Sequence, residues 1–257
     1  MNPWNSSLLH NPDLQSSPYS DWLKLATNAE DYIILAKTIS GIPKPWIEWV
    51  EKQTNDAYKR GVGINKPLTY RMTALWNGII LLQETKFICD VLENSLRQAF
   101  FSHASKLSLN YGEIKNSIPN ENDLSNQFKN EKKLNIQNDS PITASLLLHF
   151  TFYQVTETIT RNWKYISSKK INKIGFSKLF WNEPKCRDKN LFQKDMKKIR
   201  LTRNNIAHSK TLFKNHEAQY LYEIACTWLS PLSVELKERV LTYRRERPRF
   251  LEQLKLM

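Results

Sequence analysis

Arg203, Asn204 and His208 fall within six positions of one another in the stretch RLTRNNIAHSK, residues 200–210. An imidazole titrates near neutrality and can take or give a proton, and a guanidinium can stabilise the negative charge that builds on a phosphorane. Together these groups suffice to cleave RNA through attack of a 2′-hydroxyl on its own phosphate. The nucleophile is already tethered beside its target, so the reaction needs no metal, and DNA, without the hydroxyl, is inert to it.

The helix that must carry these residues has Met196, Ile199 and Ile206 on its apolar face, and Arg203 completes that stripe. A guanidinium on a core-facing stripe is costly unless it is paired or aimed into a polar cleft. On one reading Arg203 snorkels or pairs with a buried acid such as Glu93, and His208 is a cation at a helix C-terminus, favoured by the macrodipole. On the other, Asn204 and His208, four apart and on one face, converge with Arg203 on a single pocket. Glu93 and Arg97 have the same double aspect: their i, i+4 spacing makes either an ion pair of the scaffold or a pair lining the cleft and steering Arg203.

Apolar residues recur at three- and four-residue spacing over long segments, and 6 Gly among 257 residues leave little room for hairpins or phosphate loops. An all-α fold is expected, a bundle of roughly seven to nine helices given helices of ordinary length. Trp22, Leu25, Ala29, Ile33 and Ala36 share one face of a helix that starts near Ser20 and stops at SGIPKP. A second begins near Pro45 with Trp46, Trp49 and Val50. Residues 1–69 thus form a helical N-terminal extension, and residues 70–257 the main helical domain.

From Thr69 to Leu109 one long helix or two abutting ones carry Leu75, Ile79, Leu82, Cys89, Leu92, Leu96 and Phe100 along the stripe. Residues 112–140, rich in Asn, Lys, Glu and Ser, are expected as a polar surface insertion, partly disordered. Helical signal returns at ITASLLLHFTFYQVTETITRNW, at DKNLFQKDMKKIRLTRNNIAHSK, at EAQYLYEIACTWL and at LSVELKERVLTYRRER. Trp76 and Trp228 lie on helical stripes and are expected in the core.

The net charge of +13 is concentrated. Between Arg161 and Glu217 stand sixteen Lys or Arg against four Asp or Glu. Such a field suits a phosphate backbone, and Lys197, Lys198, Arg200 and Lys210 are the expected RNA contacts around the trio. A basic solvated surface is the alternative source of the same charge.

Cys89, Cys186 and Cys226 are far apart and form no Cys-x-x-Cys pair, so neither a disulfide framework nor a zinc knuckle is indicated. His10, His103, His149 and His216 show no metal-ligand spacing. The longest apolar run is interrupted by Glu84, Lys86 and Asp90, and the N-terminus lacks a signal-peptide pattern. We therefore expect no metal, no cofactor, no membrane association and a cytoplasmic location.

Arg203-Asn204-Asn205-Ile206-Ala207-His208 resembles the signature of the HEPN superfamily, an Arg and a polar residue followed four positions later by His, in the form of its Abi-like (abortive infection) branch. Glu93, Arg97, Tyr111 and Gly112 are similar to an earlier helix of that family and the Tyr-Gly that follows it. Trp228 and Pro231, with the closing helix and its Arg-Pro end, are similar to the family's last segment. The resemblance spans roughly residues 70–250. Ser209 stands where the family often has a second His, and residues 1–69 and the polar insertion have no counterpart.

The resemblance implies a helical bundle of HEPN type and a metal-independent endoribonuclease, commonly a homodimer, acting in antiphage defence or as a toxin. It implies that His208 is the base or acid, that Arg203 holds the phosphate and that Asn204 orients them. A separately encoded antitoxin or regulator is a possible further partner. The dimer also has a chemical rationale, because cleavage uses both a base for the 2′-hydroxyl and an acid for the leaving 5′-oxygen, and a two-fold interface supplies the second imidazole. The other function consistent with the residues is a non-catalytic RNA-binding or protein-interaction module.

Overall fold

The computed structural model describes residues 12–16, 18–62, 64, 66–122, 136–163, 175–208, 210, 213 and 215–242. Residues 123–135 of the expected insertion, the lysines within 164–174, Ser209 and the closing Arg247-Pro248 lie outside them. Among the described residues the fold is all-α, with no strand and one isolated bridge between Asn110 and Pro141. No helix among them is long and apolar enough to cross a membrane.

The chain divides into two compact units, Met1–Thr85 with Asn204–Ala218, and Lys86–Arg203 with Gln219–Met257. The first unit opens with α1 (Pro12–Gln15), α2 (Tyr19–Leu23), α3 (Ala29–Ile39) and α4 (Lys44–Tyr58). The single helix expected from Ser20 onward is therefore two helices, separated at residues 24–28. Trp22 and Leu23 are buried before the break and Leu35, Ala36 and Ile39 after it. The chain turns at Lys24, whose N–H bonds the Ser20 carbonyl, and restarts where the Asn28 carbonyl accepts from Tyr32. Pro45 stands in the first turn of α4, where its missing N–H costs nothing.

Inside this unit Glu51 is clamped. Arg71 sets Nε 2.6 Å from Oε1 and Nη2 3.1 Å from Oε2, its Nη1 donates to the Tyr58 hydroxyl, and the Trp22 indole also donates to Glu51. Bidentate geometry of this kind fixes orientation as well as charge.

The long helix α5 (Pro67–Lys106) runs 40 residues without an interior proline. Leu75, Leu82, Cys89, Leu92, Leu96 and Phe100 are buried as the stripe predicts and Ile79 is half-buried, but Trp76 is 49% exposed and is not core. Trp228 is fully buried.

The second unit adds α6 (Tyr111–Ile114), α7 (Ala144–Leu148), α8 (Phe152–Arg161), α9 (Lys189–Ala207) and α10 (Asn215–Leu229), the last two shared with the first unit by the division above. Its centre is aromatic: Phe100 stacks on Phe176 at 4.7 Å, Trp163 on Phe180 at 5.2 Å, and the Trp228 ring stands edge-on to Phe180 and Phe192. Such offset and edge contacts stabilise beyond the area they bury.

The start of the expected surface insertion is corrected by the structure. Asn110 and Glu113 form a reciprocal capping box that starts α6, Ile114 and Ile118 are buried, and the Tyr111 and Gly112 N–H groups donate to the Ser140 and Asn138 carbonyls. Two isoleucines four apart, too sparse to read as periodicity in a polar run, are enough to anchor a short helical turn.

Candidate active site

Helix α9 begins under a cap: Asp188 Oδ1 accepts from the N–H groups of Asn190 and Leu191. Phe192, Met196, Ile199 and Thr202 then face inward and are buried, while Lys197 and Lys198 are exposed. The same periodicity carries Arg203 to the inner edge of the helix, as its place on the stripe requires.

There it meets an acid. Arg203 Nε lies 3.0 Å from Glu93 Oε2, and the other carboxylate oxygen, Oε1, lies 2.5 Å from Arg97 Nη2. Arg97 also donates Nη1 to the carbonyl of Leu147 in α7. Side-chain exposure is graded along this chain of charges: 7% for Glu93, 15% for Arg97 and 43% for Arg203. One buried carboxylate thus serves two guanidiniums, and the outer one keeps much of its surface open to solvent.

Two arginines on one carboxylate leave a net positive charge at this point. Burial pushes the thiol of Cys89, one turn before Glu93, up to about 12; Asp90 and Glu93 act in the same direction, and the Arg203 guanidinium opposes them. Cys186 is likewise pushed up to about 12 by burial, then by Glu183 and Asp195. Neither thiol is a nucleophile at neutral pH.

Helix α9 ends at Ala207, and His208 follows it, with its backbone N–H donating to the Asn204 carbonyl at 3.1 Å. Asn204 and His208 are exposed, and Ile206 between them is buried. Asn204 and His208 belong to the first compact unit and Arg203 to the second. Lys210 is exposed and its N–H donates to the Asn205 carbonyl. The structure therefore gathers Glu93, Arg97 and Arg203 into one network and leaves Asn204, His208, Lys197, Lys198 and Lys210 as exposed side chains.

Arg200 is the exception among the expected RNA contacts. Its guanidinium carbon sits 4.2 Å from the centroid of the Tyr153 ring, and both residues are half-buried. Neither Tyr153 nor the Leu147 carbonyl was signalled by the sequence: a backbone oxygen has no residue type, and a Tyr and an Arg 47 positions apart have no spacing rule. Among the described residues no three His, Cys, Asp or Glu side chains gather as a metal-binding group.

No family model, curated protein or solved structure matches this chain.

Proposed function

We propose that the chain is a metal-independent endoribonuclease of HEPN type, acting from the cytoplasm in antiphage defence or as a toxin. What carries this reading is Arg203: a guanidinium held in place by a buried carboxylate, with 43% of its side chain exposed, in the last turns of a strongly basic helix. A guanidinium has five N–H donors. One carboxylate oxygen on Nε leaves donors with which to grip a phosphate.

In the proposed reaction the 2′-oxygen of the ribose attacks the adjacent phosphorus while His208 takes the hydroxyl proton. Arg203 stabilises the charge that accumulates on the non-bridging oxygens. The bond to the 5′-oxygen then breaks, and that oxygen takes a proton from a second imidazole, His208 of a homodimeric partner. The products are a 2′,3′-cyclic phosphate and a 5′-hydroxyl. Asn204 orients the reacting groups, Glu93 and Arg97 hold Arg203, and Lys197, Lys198, Arg200 and Lys210 attract the RNA backbone.

Incubating a mixed RNA pool with the full chain in EDTA tests this. Scission is expected with the wild type and is expected to vanish in Arg203→Ala and His208→Ala.

The closed Glu93 network also favours a second reading, a non-catalytic RNA-binding or protein-interaction module in which Arg203 is a structural ion-pair partner. That module binds RNA in a salt-dependent way in the wild type and in both variants, without cutting it.

A further inference from the structure

The proposed cleavage uses the charge of Arg200 but not its contact with Tyr153. At 4.2 Å from the ring centroid the guanidinium is well inside cation–π range. Among the described residues no carboxylate forms an ion pair with Arg200, in contrast to Arg97 and Arg203, which both pair with Glu93. Arg200 precedes Arg203 by three residues, so the two are neighbours on one side of α9, about 4.5 Å apart along the axis.

Both partners are placed by fixed elements. Tyr153 is in the first turn of α8, which a Thr151/Gln154 capping box pins in place. Arg200 follows Ile199, which is fully buried. A guanidinium laid over an aromatic ring is held as an oriented plane, and its opposite face is suited to another planar π-system. Lys197 and Lys198 are point charges and serve phosphates equally well in any orientation. An arginine seated over a tyrosine ring is suited to something else, the face of an unpaired base.

We propose that Tyr153 and Arg200 form a base-stacking subsite beside Arg203, one unpaired nucleobase of the RNA stacking on Arg200 next to the phosphate that Arg203 holds. This rests on the RNA-directed reading above and adds to it. A base inside a duplex cannot reach the platform without leaving its stack.

The test is binding of the full chain, in EDTA, to labelled 2′-O-methyl RNA, which lacks the nucleophile and stays intact. Three probes of equal length are used: a single strand, the same strand annealed to its complement, and an abasic strand with the same number of phosphates. The single strand is expected to bind about tenfold or more tightly than the abasic strand. Arg200→Lys and Tyr153→Ala bring that ratio close to one, whereas Tyr153→Phe, which keeps the ring, keeps the ratio. Arg200→Lys carries the test alone if Tyr153→Ala does not fold.

A ratio unchanged in Arg200→Lys, or a duplex bound as tightly as the single strand, overturns the subsite. The two proposals fail separately. Base-dependent binding without scission of any RNA removes the nuclease and keeps the platform, while His208-dependent scission with no base dependence removes the platform and keeps the nuclease.

Discussion

Arg203 Nε and Glu93 Oε2 are 3.0 Å apart, and Glu93 shares its other oxygen with Arg97. Because Glu93 and Arg97 are nearly buried while Arg203 is 43% exposed, the members of this network carry unequal structural weight. Glu93→Gln strips the counter-charge from Arg97 and is expected to cost roughly 1–3 kcal/mol. Arg203→Ala, which removes the solvent-exposed partner, is expected to cost at most about 1 kcal/mol. Urea unfolding of the two variants measures both; an equal or larger loss in Arg203→Ala contradicts the ranking.

Gly112 tests whether the first residues of the polar insertion belong to the fold. A Cβ there meets the Asn138 carbonyl oxygen at 2.9 Å and the Asn138 Cβ at 3.0 Å, and the contacting oxygen is backbone that cannot swing away. Gly112→Ala is expected to destabilise by about 1–3 kcal/mol. Thermal unfolding reads this, and a neutral substitution shows that the 112–138 contact carries no stability.

Asp195 gives the fold a pH dependence of defined sign. Burial raises its pKa above the ordinary 3.8, against the hydrogen bond from the Trp228 indole at 2.8 Å and the charge of Lys194. The folded state therefore binds this proton more tightly than the unfolded one. The resulting stability is fully present below pH 3.8 and is lost as pH rises through the folded value. Asp195→Asn keeps an acceptor for the indole and loses the titration. Unfolding free energies from about pH 4 to pH 7 should show the wild type falling relative to the variant as pH rises, and a constant difference refutes the assignment.

Cys89 and Cys186 are both fully buried, with thiols pushed up to about 12. At pH 7 the thiolate fraction of each is on the order of 10⁻⁵. Iodoacetamide is expected to leave both unlabelled in the folded chain and to label both in guanidinium chloride, read by mass spectrometry. Rapid labelling of either in the folded chain contradicts this.

How far the sequence reaches is visible in α5 and α9. Met196 and Ile199 put Arg203 at the inner edge, and a guanidinium there demands an acid; Glu93, bordering the stripe of α5, was the acid named from sequence. Trp76 departs from the expected core because a helix of 40 residues meets different neighbours along its length, and one stripe cannot describe them all. The break at residues 24–28 was invisible because Leu25 and Ala29 continue the apolar spacing through it. Tyr153 beneath Arg200 depends on how α8 packs on α9, a relation that local periodicity does not encode.

The most direct measurement is the chemistry of the ends left by cleavage. RNA treated with the full chain in EDTA is predicted to carry 2′,3′-cyclic phosphate and 5′-hydroxyl termini, with no such ends after treatment with His208→Ala or Arg203→Ala. Ends bearing 5′-phosphate, or the same ends at the same rate in both variants, contradict the account.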